Sequence, residues 1–308
     1  MKNVAIIGSG PAGLAAAEYL AKEEFGVTIF DELKEFGGMI AYGIPEFRIP
    51  LKSSRERKAQ MEKKGIIFEN KKILSVKSLL KNFGGEFDYV ILAIGAGAGS
   101  SAGFEGKNDP SIIDALNLLT ESKLYEKNLL SKEERVIVIG GGNSAVDAAR
   151  AAVRQCEKVT IIYRRTRAEM PALKNEVDSA EKEGVQMDFL LAPKKLVNAN
   201  GKKELVCSEM ILGEKDASGR RKPIDSGKTR LVPCDKIIVA IGQTQDLSWL
   251  KKEGIKCADN LVQVDGNYKT TLEGVYAAGD CVTGAKTIGE ATKTGLLAAK
   301  AILQSAKN

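Results

Sequence analysis

Val4-Ala5-Ile6-Ile7 runs directly into Gly8-Ser9-Gly10-Pro11-Ala12-Gly13 and then into the apolar stretch Leu14 to Leu20. The same order returns in mid-chain. There Val136-Ile137-Val138-Ile139 is followed by Gly140-Gly141-Gly142-Asn143-Ser144-Ala145 and an apolar run from Val146 to Val153. Each copy reads as a buried strand, a glycine turn and a helix N-terminus, the context a dinucleotide fingerprint requires. The first glycine permits the tight turn, the second lets backbone approach a pyrophosphate, and the third position lets helix and strand pack closely. The helix start then offers unpaired N–H groups to phosphate oxygens. Two copies imply two dinucleotides, and the simplest chemistry joining two is hydride transfer from a nicotinamide to a flavin.

The residues about 20 positions downstream separate the two sites. After the first helix, Val27-Thr28-Ile29-Phe30 ends at Asp31, a carboxylate able to bind ribose hydroxyls. This suits the unphosphorylated adenosine ribose of FAD. After the second helix, Val159-Thr160-Ile161-Ile162-Tyr163 ends in Arg164-Arg165, and arginine there suits the 2′-phosphate of NADP(H), with NAD(H) as the alternative. The competing reading of the pair is a solvated basic surface.

Composition sets the outer bounds. The 308 residues suggest about two domains. Charge is 46 basic against 40 acidic residues, a net +6, with both signs interspersed. No basic-aromatic platform points to nucleic acid. There is no histidine, which removes the commonest general base and metal ligand. No metal and no side-chain catalyst are therefore expected; a flavin carries the chemistry. The five cysteines, Cys156, Cys207, Cys234, Cys257 and Cys281, form no C-x-x-C pair, so neither a redox dithiol nor iron–sulfur spacing is present. They read as reduced thiols of a cytoplasmic protein, and only Cys281, beside a candidate flavin contact, invites a redox reading. Neither a signal peptide nor an apolar run long enough to span a membrane is expected.

The pattern divides the chain into a discontinuous α/β architecture. Residues 1–105 and 272–308 form an FAD domain, and residues 106–271 an inserted NAD(P)H domain, both Rossmann-like. The first contains a later strand, Tyr89 to Ile94, ending at Gly95, and a glycine-rich crossing segment, Gly95 to Gly106. A helix is expected from Ile112 to Leu119 and another from Lys174 to Glu183. A strand-and-turn region follows from Phe189 to Val232, with turns at Asn200-Gly201 and Ser218-Gly219, and then a strand from Lys236 to Gly242. The tail, Gly274-Val275-Tyr276-Ala277-Ala278-Gly279-Asp280, reads as a strand ending in Gly-Asp, with a helix from about Thr287 to Leu303. A carboxylate at Asp280 suits ribityl hydroxyls. The helix N-terminus suits the flavin ring end, where anionic charge develops on reduction.

Four segments are the most specific, and within the first of them Tyr42-Gly43-Ile44-Pro45-Glu46-Phe47-Arg48 is far more diagnostic than any glycine loop. They are Phe36-Gly37-Gly38-Met39-Ile40-Ala41-Tyr42-Gly43-Ile44-Pro45-Glu46-Phe47-Arg48-Ile49-Pro50, Gly140 to Asp147, Tyr163 to Pro171, and Ala277 to Ala285. Through them nearly the whole chain resembles the pyridine-nucleotide:flavin module of the glutamate synthase small (β) subunit family. That family includes the large subunit of bifurcating ferredoxin:NADP oxidoreductases. The resemblance implies that Gly10, Pro11, Ala12 and Gly13, with Gly37, Gly38 and Met39, line the FAD phosphates and ribityl chain; Gly8, Asp31, Gly95 and Gly279 are counted with them. It implies that Arg48 reaches the flavin nucleotide, the alternative being a fold-stabilising ion pair. Asp280, Thr287 and Ile288 complete the isoalloxazine end. For NADP(H) it implies Asn143, Ser144, Arg164, Arg165 and Arg167, beside Gly140, Gly142, Ala145, Ala240 and Gly242. Many relatives carry Glu where Asp31 stands. Many also begin with a cysteine-rich domain holding iron–sulfur clusters, whereas this sequence opens on the FAD strand. The expectation is therefore an electron-input subunit that passes electrons to a partner bearing iron–sulfur clusters or flavin. The alternatives are a stand-alone reductase of a small acceptor such as a quinone, and a non-catalytic nucleotide sensor.

Overall fold

The computed structural model describes residues 1–99, 103–199, 201–216 and 218–307. Ser100, Ser101 and Ala102 of the crossing segment, and Asn200 of the Asn200-Gly201 turn, lie outside the described residues. The chain folds as two compact units. One comprises Met1–Tyr42, Ile49–Ala98 and the chain from Gln243 onward; the other comprises Gly43–Arg48 and Gly99–Gly242.

The first unit is built on a parallel five-stranded sheet ordered Val275–Ala277, Tyr89–Leu92, Asn3–Ile7, Gly26–Asp31, Ile67–Asn70. Its central strand is fully enclosed: Val4, Ala5 and Ile6 have no exposed surface. Such a strand must be apolar on both faces, which is why it appears in the sequence as an unbroken apolar run rather than an alternation. One face, through Val4, Ile6, Val27, Ile29 and Ile91, packs on the helices Pro11–Lys22 and Ile288–Lys307. The other face, through Ala5, Ile7, Phe30, Val90 and Leu92, is covered by Val76, Leu80, Leu247, Leu250, Ile255 and Val262. That cover corrects the boundary expected at 272. Residues 243–271 return to the first unit because their few apolar side chains close the open face of its sheet.

The second unit repeats the plan. Its parallel sheet is ordered Ile112–Asp114, Lys236–Val239, Arg135–Ile139, Lys158–Tyr163, Gln186–Phe189. Here the helix Asn143–Ala152 packs on Val136, Val138, Val159 and Ile161. The opposite face, with Ile137, Ile139, Ile162 and Val239, is covered by an antiparallel ribbon of three strands, Leu191–Ala199, Lys202–Lys215 and Arg221–Cys234. The expected helix at 112 begins instead at Ala115, after the edge strand. Asp114 caps it by accepting from the N–H groups of Leu116 and Asn117. An Asx cap stops a helix from extending backwards, so the apolar pair Ile112-Ile113 joins the sheet.

Candidate nucleotide sites

In the first unit the chain reverses at Gly8, whose φ is +105°. A Cβ there would lie 2.2 Å from the carbonyl oxygen of Ala93, so only glycine fits between the two neighbouring strand ends. Gly13 is closed in the same way, 2.0 Å from the carbonyl oxygen of Gly8. Gly10 differs. Its φ of −68° and ψ of 179° suit any residue, and a Cβ built on it meets nothing within 4 Å. The space in front of Gly10, at the start of a 12-residue helix, is a cradle that a side chain would fill. Gly38 and Gly279 border it, the first with a Cβ position 2.8 Å from Gly10 Cα and the second 2.8 Å from Ala12 Cβ.

Ser9, wholly buried, organises the loop. Its N–H and hydroxyl both donate to Asp31 Oδ2, at 2.8 and 2.6 Å, and its Oγ accepts from the Gly37 N–H at 3.0 Å. Asp31 Oδ1 accepts from the Leu33 N–H. Three of the carboxylate's roughly four acceptor positions are thus used, leaving one for a ribose hydroxyl. Opposite, Asp280 opens a short helix next to Gly279, whose N–H donates to Thr294 Oγ1. Burial pushes the Asp280 carboxyl above its ordinary value. A desolvated carboxylate of this kind is satisfied by hydroxyl donors. Thr287 stands before the helix Ile288–Lys307 and accepts from the Glu290 N–H through its hydroxyl. The residues present fit an FAD: an open glycine cradle at a helix N-terminus, a ribose carboxylate and a partly dehydrated second carboxylate.

The second unit shows the same arrangement at a different sheet. Gly140, with φ +145°, abuts the carbonyl oxygen of Ala240, 2.3 Å from a built Cβ. Gly142 has φ −89° and ψ 176°, and its Cβ direction is open. Asn143 begins the helix and its Oδ1 accepts from the Leu173 N–H, while the Ala172 N–H donates to Gly141 O. These bonds hold residues 164–173 against the glycine loop. Ser144 is exposed in the first helical turn. Arg164 is exposed at the end of its strand, and among the described residues it has no ion-pair partner. This cradle, with a free guanidinium beside it, fits a phosphorylated nicotinamide dinucleotide.

Three expected contacts are placed elsewhere. Arg48 lies in the second unit, where Nη1 donates to both oxygens of buried Asp147 at 2.6 Å and Nη2 sits 3.5 Å from Glu176 Oε1. The fold-stabilising reading of Arg48 is therefore the one observed, because a buried carboxylate one turn into a helix demands a cation. Arg165 is 4% exposed. Its guanidinium is committed to Asp216 Oδ2 at 2.5 Å and to the carbonyl oxygen of Arg221 at 2.7 Å, so the second arginine of the pair is structural. Arg167 is shared between Asp178, at 2.6 Å, and Glu181. Ser9, Asp147 and Asp216 were not singled out in the sequence. Only Ser9 carried a local signal, as the hydrophilic residue inside Gly-x-Gly.

Cys281 is buried and its thiol is pushed up to about 12 by desolvation, which leaves it inert as a thiolate. All five cysteines are unpaired, and among the described residues no three potential ligands gather as a metal site. No helix among the described residues is long and apolar enough to cross a membrane.

Two parallel-sheet units, each presenting a glycine cradle, define a two-dinucleotide redox fold. Residues 2–295 match the family model described as pyridine nucleotide-disulphide oxidoreductase, and the chain belongs to that family. It is thus an oxidoreductase of a family whose members bind FAD and a pyridine nucleotide. It is 40% identical over 310 residues to the NADP(+)-dependent formate dehydrogenase subunit beta of Moorella thermoacetica, covering 98% of this chain and 44% of the relative. It is 32% identical over 322 residues to the glutamate synthase [NADPH] small chain of Halomonas elongata, covering 98% of this chain and 67% of the relative. The chain therefore spans from under half to about two-thirds of these relatives. The fold also matches FprA from Mycobacterium tuberculosis in complex with NADPH, with a TM-score of 0.81 and 19% identity, over 100% of this chain and 85% of that one. At that identity the match speaks for the fold alone.

Proposed function

We propose that this chain takes a hydride from NADPH onto FAD and delivers the electrons to a redox partner bearing iron–sulfur clusters or a second flavin. The observation that carries the reading is the paired cradle. In each unit the glycine just before the helix, Gly10 or Gly142, opens onto empty space at the helix N-terminus, while the first glycine, Gly8 or Gly140, is closed against its own sheet. FAD supplies the hydride acceptor when bound. The N–H groups at the start of the helix Pro11–Lys22 bind its pyrophosphate, with Gly37, Gly38 and Met39 alongside. Asp31, fixed by Ser9, holds the adenosine ribose through its remaining acceptor position. Asp280 accepts from the ribityl hydroxyls, and Thr287 and Ile288 present the N-terminus of the last helix to the ring, where negative charge develops. In the second unit the start of Asn143–Ala152 binds the coenzyme pyrophosphate, with Gly142 allowing its approach and Ala240 and Gly242 beside it. Arg164 takes the 2′-phosphate. Relatives named as β or small chains support a partner for the outgoing electrons. Unpaired, dehydrated thiols support a reducing compartment such as the cytoplasm.

Coenzyme preference is the sharpest test of the assignment. A guanidinium–phosphate pair is charge-assisted, and losing one is worth about 1.5–3 kcal/mol, or roughly 10- to 150-fold in affinity. Arg164→Ala is expected to weaken NADPH binding by that factor and to leave NADH binding within about twofold. Titration of the FAD-loaded protein with each coenzyme measures both constants. An NADPH-to-NADH ratio unchanged by the substitution removes Arg164 from the site.

A further inference from the structure

We propose that the tip of the three-stranded ribbon, through Asp216 and Arg221, sets coenzyme preference by holding in place the loop that carries Arg164. The inference rests on the reading of Arg164 as the 2′-phosphate ligand.

The loop 164–173 follows the second-unit strand directly and is fastened at both ends. Toward the glycine turn, the Leu173 N–H donates to Asn143 Oδ1 and the Ala172 N–H to Gly141 O. Toward the ribbon, four charged groups interlock. Arg165 donates through Nη2 to Asp216 Oδ2 at 2.5 Å and through Nε to the Arg221 carbonyl oxygen at 2.7 Å. Arg221 in turn donates through Nε to Glu169 Oε1 at 2.5 Å. Glu169 closes the circuit within the loop, its other oxygen accepting from the Thr166 N–H and hydroxyl. Asp216 is itself shaped by the tip, accepting from the Ser218 N–H at 2.9 Å, with its own N–H donating to Arg220 O.

The chemistry of this clasp is specific to position. Arg165 is a buried cation and Glu169 a buried anion, each 4–7% exposed, and each takes its charge partner from the ribbon tip. Removing a partner from a buried charge is costly because the remaining ion is left uncompensated. The loop therefore has little freedom to shift while the tip is engaged. Arg164 is adjacent to Arg165 and exposed, and among the described residues it is the one arginine of the 164–167 segment without an acidic partner. A free cation projecting from a braced backbone is preorganised for a phosphate. The same cation on a loosened loop pays ordering entropy on binding. Asp216 and Arg221 are thus positioning residues. They act on the 2′-phosphate through Arg164 and have no role in binding the part of the coenzyme that NADPH and NADH share.

The test compares Asp216→Ala, Asp216→Asn, Arg221→Ala and Arg164→Ala in the full chain loaded with FAD. Dissociation constants for NADPH, NADH and 2′,5′-ADP are read by calorimetry, beside the melting temperature. Misplacing a ligand group by about 1 Å can cost up to on the order of 10²-fold. Asp216→Ala and Arg221→Ala are each expected to lower the NADPH-to-NADH preference about tenfold and to weaken 2′,5′-ADP to match, with NADH constant within about twofold. Asp216→Asn keeps an oxygen acceptor but not the charge opposite Arg165 and is expected to fall between wild type and Asp216→Ala, a graded recovery that general destabilisation would not give. A preference unchanged or increased in either alanine variant overturns the inference, and Arg221→Ala decides alone if Asp216→Ala does not fold. If Arg164→Ala lowers the preference while the tip variants do not, only the clasp is wrong. If Arg164→Ala also has no effect, the coenzyme assignment falls with it.

Discussion

The Gly10→Val protein is expected to fold and to be colourless. A Cβ at this position meets nothing within 4 Å beyond its chain neighbours, and the backbone, at φ −68° and ψ 179°, is one that valine adopts readily. The apoprotein should therefore melt with wild-type apoprotein. The isopropyl group occupies the space in front of the helix N-terminus, where the pyrophosphate must come close enough to accept from backbone N–H groups. Losing two charge-assisted hydrogen bonds costs about 3–6 kcal/mol, roughly 10²- to 10⁴-fold in FAD affinity. Gly13→Ala supplies the contrast, since its Cβ would lie 2.0 Å from the Gly8 carbonyl oxygen and must disturb the strand-to-helix packing itself. Flavin content after purification, set beside the melting temperature of each apoprotein, separates a blocked cradle from a damaged fold. A yellow, fully occupied Gly10→Val protein would sink the assignment of the first unit to FAD.

Gly142→Val is expected to give the complementary phenotype, a yellow protein that NADPH fails to reduce. The geometry is the same, with an open Cβ direction and φ −89°, but the cradle belongs to the second unit. FAD binding uses residues of the first unit and should be untouched. Coenzyme affinity should fall by a factor comparable to that for FAD, roughly 10² or more. Dithionite bypasses the coenzyme and should still bleach the flavin fully. Rapid mixing with NADPH under anaerobic conditions reads the defect, and wild-type reduction rates in this variant would show that the second glycine loop does not hold the coenzyme.

The two strand, glycine-turn and helix units were legible in the sequence because their determinants are local. A parallel strand buried on both faces is written as consecutive apolar residues, and the glycines that close against a neighbouring strand sit at fixed offsets from it. Val4–Gly13 and Val136–Ala145 therefore reveal strand, turn and helix start within ten residues each. The ion pairs of Arg48 and Arg165, which the sequence did not reveal, depend on distant partners. Arg48 and Asp147 are 99 positions apart, and Arg165 and Asp216 are 51 apart. An arginine beside a nucleotide motif carries no mark to say whether a phosphate or a carboxylate will face it. The outcome is decided by burial, because a cation placed inside the fold must take the carboxylate offered there. The domain boundary was hidden for a related reason. Leu247, Leu250, Ile255 and Val262 are scattered among polar residues in short irregular segments, and only the sheet face they cover makes them a set. The helix expected from Ile112 was displaced because the sheet edge claimed the half-buried Ile112 and Ile113, overriding the helical spacing of the apolar residues around them.

One chain is expected to hold both a flavin and the coenzyme that reduces it. The direct measurement is anaerobic titration of the FAD-loaded protein with NADPH, followed by visible absorbance. The flavin is expected to bleach in full at one equivalent of NADPH per FAD, with NADH giving the same endpoint at higher concentration. A flavin that stays oxidised while NADPH is demonstrably bound would contradict it, and would make the second cradle a nucleotide sensor rather than a source of hydride.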